Sequence, residues 1–255
     1  MDTRDPSRRH RLVPGLAAVV VLGLLVTSLV IVLGLPRWVP GVSDCTTTVG
    51  SRTVDLTTRE AERAAARAAA TVRREQPLRA ASAAVAEVLE VPDRDARAVA
   101  AALTGRRPHA FTCVHGGAGE QESDRLSAAG LTARATTLRR DVEAAFGEQV
   151  LGGFAPGGVS TGHMPGSAHY EGRAVDVFFR PLTSQQRVRG WAVAQYAVAR
   201  AERLAVDTVI FDGRIWTARR AAQGWRTYAP DTSGRTAAEA AILEHRDHVH
   251  IDVAG

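Results

Sequence analysis

Apolar positions follow three regimes along the chain. Leu12 to Leu35 is an uncharged run. As a helix rising about 1.5 Å per residue it would extend roughly 36 Å, against a hydrocarbon core of about 30 Å. The expectation is a transmembrane anchor over 12–36. Arg4, Arg8, Arg9 and Arg11 precede it and only Arg37 follows closely, so the positive-inside bias makes 1–11 a cytoplasmic tail. The expected location is therefore single-pass in the cell membrane, touching lipid through the anchor, with the C-terminal part extracytoplasmic. A cleaved signal peptide has a shorter apolar region, about 7–15 residues. No Cys stands directly after the run, where lipidation would need one.

The second regime is Ala-rich. Thr-Thr-Thr-Val and Arg-Thr-Val-Asp-Leu, within 45–56, read as a short strand pair joined at Gly50-Ser51. Thr57 with Glu60 reads as a capping box opening a helix to about Arg74. Pro77 and Pro92 stand where further helices start, and Gly105 is placed to end one. Together 45–115 is expected to form a small helical domain, to which the sequence assigns no chemistry. Residues 116–130, rich in Gly and polar side chains, read as a linker.

The third regime, 131–255, mixes periods. Leu131, Ala135, Leu138, Val142 and Ala145 make one helical face. Strands are expected at 149–154 and 175–179, separated by a Gly/Pro-rich loop over 155–166. Thr183 with Gln186 caps a long helix carrying Val188, Trp191, Ala194, Val198, Ala201 and Ala205. Val206 to Phe211, turning on Asp212-Gly213 into Arg214 to Ala218, is a hairpin signal. Thr236 with Glu239 caps a short helix, and His248 to Val253 closes as a strand. Few helices and several irregularly spaced strands point to an α+β domain on an antiparallel sheet.

All 32 basic residues are Arg, and the formal net charge is +5. The Arg are interleaved with Asp and Glu, which describes solvated faces better than a polyanion-binding patch. Nucleic acid is not an expected partner. Cys45 and Cys113 bracket the helical segment and are expected to pair in an oxidising compartment, with a gain of roughly 3–5 kcal/mol in the chain-entropy model.

Six of the eight His follow residue 110. His169 lies in Gly-Ser167-Ala-His-Tyr-Glu-Gly172-Arg-Ala-Val-Asp176, and the chain nears its end on His245-Arg-Asp247-His248-Val-His250-Ile. Residues two apart on a strand share a face, so His248 and His250 point together while Val249 and Ile251 enter the core. Asp176 stands on another strand in the same sense. Imidazole and carboxylate are the donors zinc takes, and a catalytic zinc uses three of them.

Ser167-x-His169-x-x-Gly172-x-Ala174-x-Asp176 followed by His248-x-His250 resembles the D-alanyl-D-alanine carboxypeptidase and murein endopeptidase family, peptidase family M15, whose metal-site fold is shared by hedgehog signalling domains. The likeness covers roughly 135–255 and is closest to an uncharacterised branch of extracytoplasmic actinobacterial domains. It implies zinc held by His169, Asp176 and His250, with the site in a groove of an antiparallel sheet flanked by helices. Asp247 and His248 are both candidates for the base. Ser167 is a candidate for contacting substrate or supporting the ligands. His245 is expected to orient a neighbour or to sit as a cation at a helix end. Many family members carry an Arg before the motif, where this chain reads Gly152-Gly-Phe-Ala155; Arg173, Arg180 and Arg214 are the candidates to replace it. His163, in the preceding loop, reads as a solvated side chain, with a substrate-contacting group or an extra ligand as the alternatives. The expected activity is a zinc metallopeptidase acting on peptidoglycan peptides, with an inactive module that binds wall or a protein as the alternative.

Overall fold

A computed structural model describes residues 44–117 and 121–255. Ser43–Gly255 forms one compact unit. Two antiparallel sheets organise it. The smaller has strand order β2-β1-β3, from β1 (Cys45–Val49), β2 (Arg52–Leu56) and β3 (Phe111–Cys113). The larger has order β4-β5-β9-β6-β7-β8. Its strands are β4 (Leu151–Gly152), β5 (Ala174–Phe178), β6 (Val206–Phe211), β7 (Arg214–Thr217), β8 (Arg226–Thr227) and β9 (His248–Val253).

Helices α1 (Thr58–Arg73), α2 (Leu78–Ala86) and α3 (Asp93–Leu103) follow the first hairpin. The Thr57–Glu60 capping box is present, and Pro77 and Pro92 are the N-caps of α2 and α3. Further along come α4 (Ala133–Phe146), α5 (Ser184–Ala199), α6 (Ala201–Leu204) and α7 (Ala237–Leu243). The face expected to run from Val188 to Ala205 is interrupted: Arg200 leaves helical geometry and Ala205 adopts a left-handed conformation. Helix α5 is also not one-sided, since every residue from Gly190 to Ala199 is buried. It packs on β6 and β9 as well as on α1 and α3. Gln195, fully buried, ties these layers together. Its Oε1 accepts from the Phe111 N–H at 3.2 Å, and its Nε2 donates to the carbonyls of Ala102 and Arg107 at 3.1 Å. A buried amide satisfied in this way keeps the core continuous without an unpaired polar group.

Cys45 and Cys113 are disulfide-bonded across β1 and β3, where they face each other in register. The stretch at 121–130 has no regular element and lies on the body. Leu131 donates its N–H to Ser127 Oγ at 3.2 Å, and Gly130 turns against the Ala155 carbonyl with no room for a Cβ.

The expectation of a transmembrane helix, and with it the single-pass location, is corrected. Among the described residues no helix is long and apolar enough to cross a membrane. The anchor expected over 12–36 and the tail over 1–11 lie outside the described residues, and the described residues form an α+β body.

Candidate metal centre

Pairing in the large sheet makes the site. β5 and β9 are antiparallel neighbours with Asp176 opposite His250 and Phe178 opposite His248. Because side chains alternate, Val175, Val177, Val249 and Ile251 fill the core while Asp176, His248 and His250 gather on the other face.

His169 arrives from a 3-10 turn, Ala168–Glu171. Ser167 caps that turn, its Oγ accepting from the His169 N–H at 3.4 Å, and Gly172 ends it in a left-handed conformation where a Cβ would meet the Gly130 carbonyl oxygen at 2.6 Å. The Ser-x-His-x-x-Gly spacing is thus the start and stop of one turn that aims one imidazole. Ser167 lines the cleft, and its hydroxyl oxygen accepts the capping bond while its O–H is left to donate.

Three donor atoms converge. His169 Nε2 and His250 Nδ1 lie 3.0 Å apart, His250 Nδ1 and Asp176 Oδ1 3.1 Å, and His169 Nε2 and Asp176 Oδ1 3.2 Å. Donors around a tetrahedral ion at bond lengths of about 2.0–2.2 Å stand about 3.3–3.6 Å apart, so side chains already this close need to spread by only a few tenths of an ångström to seat one. The outward nitrogens are occupied: His169 Nδ1–H donates to the Gly153 carbonyl at 2.7 Å, and His250 Nε2 faces Asp252 Oδ2 at 3.5 Å. Such contacts fix which nitrogen is left for a metal. Burial works against the charged form of Asp176, yet hydrogen bonds from His169 and His250 hold its carboxyl well below the usual carboxylate range. Burial also opposes charge on His250, and its contacts with Asp176 and Asp252 prevail, raising it to about 9.

His163 joins this group. Its ring stacks on His169 with centroids 4.0 Å apart. His163, His169 and Asp176 form a cluster that could hold a metal ion, each offering one ligand atom, with these atoms within 4.8 Å of one another. The loop reading of His163 as solvated is therefore revised. The Tyr170 hydroxyl holds its backbone on both sides, accepting from the His163 N–H at 3.0 Å and donating to the His163 carbonyl.

The two base candidates are distinguished by their partners. The Asp247 carboxylate is engaged on both oxygens, by Arg180 Nε at 2.6 Å and by His248 Nδ1 at 2.8 Å. Burial raises its pKa, and these two partners overcome that and lower it. With Nδ1–H donated to Asp247, His248 presents Nε2 to the cluster, 3.9 Å from Asp176 Oδ1. Arg180 also lies over the Phe178 ring, 4.3 Å from its centroid. Arg173 is engaged by Glu171 and the Val253 carbonyl, and Arg214 by Thr227. His245 packs its ring 4.6 Å from His248, with Nδ1–H donated to the Leu243 carbonyl. Burial, then the neighbouring His248 and His250, push it down to about 3, so it is a neutral wall rather than a helix-end cation.

Gly153 is the residue that the sequence pattern did not single out. Its φ is +79°, and a Cβ there would lie 2.1 Å from His169 Cε1. Only the double glycine at 152–153, in a segment otherwise read as a strand, hinted at it. The cluster floors a cleft of ≈ 680 Å³, whose rim includes Met164, Tyr228, Arg235 and Ile242. Met164 and Ile242 are 58% and 48% exposed and add apolar surface to that lining.

The family model of the VldE C-terminal domain matches residues 127–239, less than half of the chain. That span contains His163, His169 and Asp176 and stops short of His245, His248 and His250. The chain is similar to that domain over those residues. No curated protein and no solved structure gives a significant match.

Proposed function

We propose that the protein is a zinc-dependent peptidase acting on peptidoglycan peptides, with His169, Asp176 and His250 as the metal ligands. The observation that carries this reading is the donor triangle of 3.0, 3.1 and 3.2 Å, reached by two imidazoles whose other nitrogens are already engaged. The M15-like spacing, and a cleft of ≈ 680 Å³ over the cluster, support it. When bound, zinc supplies Lewis acidity toward a carbonyl and lowers the pKa of water to about 7. His248 acts as the base: its Nε2 takes a proton from the attacking water and returns it to the leaving amine. Asp247 holds the Nδ1–H of His248, fixing the tautomer, and Arg180 balances the carboxylate.

A second reading, an inactive module that binds wall or a protein, is favoured by the stacking of His163 on His169. Purified protein loaded with one equivalent of zinc is to be incubated with stem peptides and cross-linked muropeptide dimers. Cleavage that stops on chelation and returns with zinc supports the peptidase. Loaded protein that cleaves neither yet sediments with sacculi supports the module.

A further inference from the structure

Resting on the metal reading above, we propose that His163 is a fourth, releasable ligand that closes the centre until the loop carrying it swings away. A hydrolytic zinc needs one position free of protein, whereas four protein ligands make a closed, structural site. Here a fourth donor, and third imidazole, stands beside the centre. His163 lies over His169, and its donor atom falls within 4.8 Å of those of His169 and Asp176.

Two features make this arrangement a gate rather than a fixed ligand. His163 stands on a short flap bounded by Gly162 and Gly166, at φ of +90° and +76°, and a Cβ placed at either would meet nothing within 4 Å. Glycine passes between conformations that other residues cannot share, so these are natural hinge positions. The flap is also held through its backbone rather than by packing at its tip. Its tip residue, Met164, is 58% exposed. Its backbone is clamped by the Tyr170 hydroxyl, which the 3-10 turn carrying His169 provides, and by a turn bond from the Ser167 N–H to the Met164 carbonyl at 3.1 Å. Met164, on the flap, and Ile242 both line the cleft, so a peptide that fills it meets the segment carrying His163.

The test is spectroscopic and uses the full chain with cobalt(II) in place of zinc. Wild type and His163→Ala are compared by visible absorption and by azide titration. The expected result is one cobalt in each protein, a changed ligand-field spectrum in the variant, and azide affinity at least about tenfold higher, because apparent affinity scales with the fraction of molecules whose position is open. Identical spectra and equal azide affinity would remove His163 from the ligand set while leaving the three-ligand centre intact. Loss of cobalt from His163→Ala would make it a permanent ligand and overturn its release. Failure of wild type to bind either metal would instead overturn the metal reading itself.

Discussion

Asp176 and His250 face each other across β5 and β9, with Oδ1 and Nδ1 3.1 Å apart, although 74 residues separate them in the chain. The contact is set by strand register, so a slip by one residue would turn His250 into the core and Val249 or Ile251 outward. The geometry of the candidate metal ligands and the sheet register are one property in this protein.

Metal content follows from that relationship. His169→Ala, Asp176→Ala and His250→Ala are each expected to lose stoichiometric zinc, whereas His163→Ala keeps it with weaker affinity. Elemental analysis after gel filtration is the check. Full zinc in all three ligand variants would refute the centre.

The base and its support separate by kinetics. His248→Ala is expected to keep the metal and lose about 10²–10⁴-fold in turnover, the usual range for a general base. Asp247→Asn, which leaves an amide beside His248, should lose less. Equal turnover in His248→Ala and wild type would exclude this role.

Gly153→Ala tests a backbone contribution to the site. Its left-handed φ costs an alanine roughly 1–2 kcal/mol, and the added methyl must displace the His169 ring. Thermal unfolding should fall by several degrees and zinc affinity should drop with it. A variant with unchanged melting and unchanged metal affinity would mean that His169 tolerates movement.

The disulfide gives a simpler expectation. Denatured, unreduced protein should show no labelled thiol for Cys45 and Cys113, and the double Ser variant should be less stable by roughly 3–5 kcal/mol. Two reactive thiols per chain would contradict the pairing.

Alkaline stability should track Tyr196. Burial, then its hydrogen bond to Asp141 at 2.6 Å, raise the phenol above its ordinary value. A folded pKa above the unfolded one means the contribution is full below about pH 10 and is lost as pH rises further. Tyr196→Phe should lower stability at neutral pH by about 1–3 kcal/mol and flatten the alkaline loss. Denaturant titrations at pH 7 and above pH 10 read both, and parallel curves for the two proteins would argue against it.

Much of this was legible from local signals. The hairpin at Gly50-Ser51, the capping boxes at Thr57 and Thr236, and the two-residue turn at Asp212-Gly213 each depend on neighbouring residues, and each is present. His248 and His250 shared a face for the same reason. What could not be read depended on distant packing. Burial of α5 on all sides arises because layers from both parts of the chain meet on it, and no periodicity of 184–199 encodes that. The role of Gly153 depends on a ring 16 residues away. The engagement of Asp247 by Arg180, which distinguishes it from His248, crosses 67 residues. The capture of His163 by Tyr170 lies in a Gly/Pro-rich loop, where no helix or strand period relates the two residues.

The position of β9 in the sheet has a kinetic meaning. It is the last strand in sequence and lies between β5 and β6, which are not neighbours of each other. Neither can complete its ladder on that side until β9 is inserted, and β9 brings His248 and His250 with it. During synthesis the chain must therefore hold an open seam through its sheet while most of its helices are already made. Closing that seam and assembling the proposed metal centre are the same event, so partly folded molecules should be both unpaired at that edge and without the full set of candidate ligands.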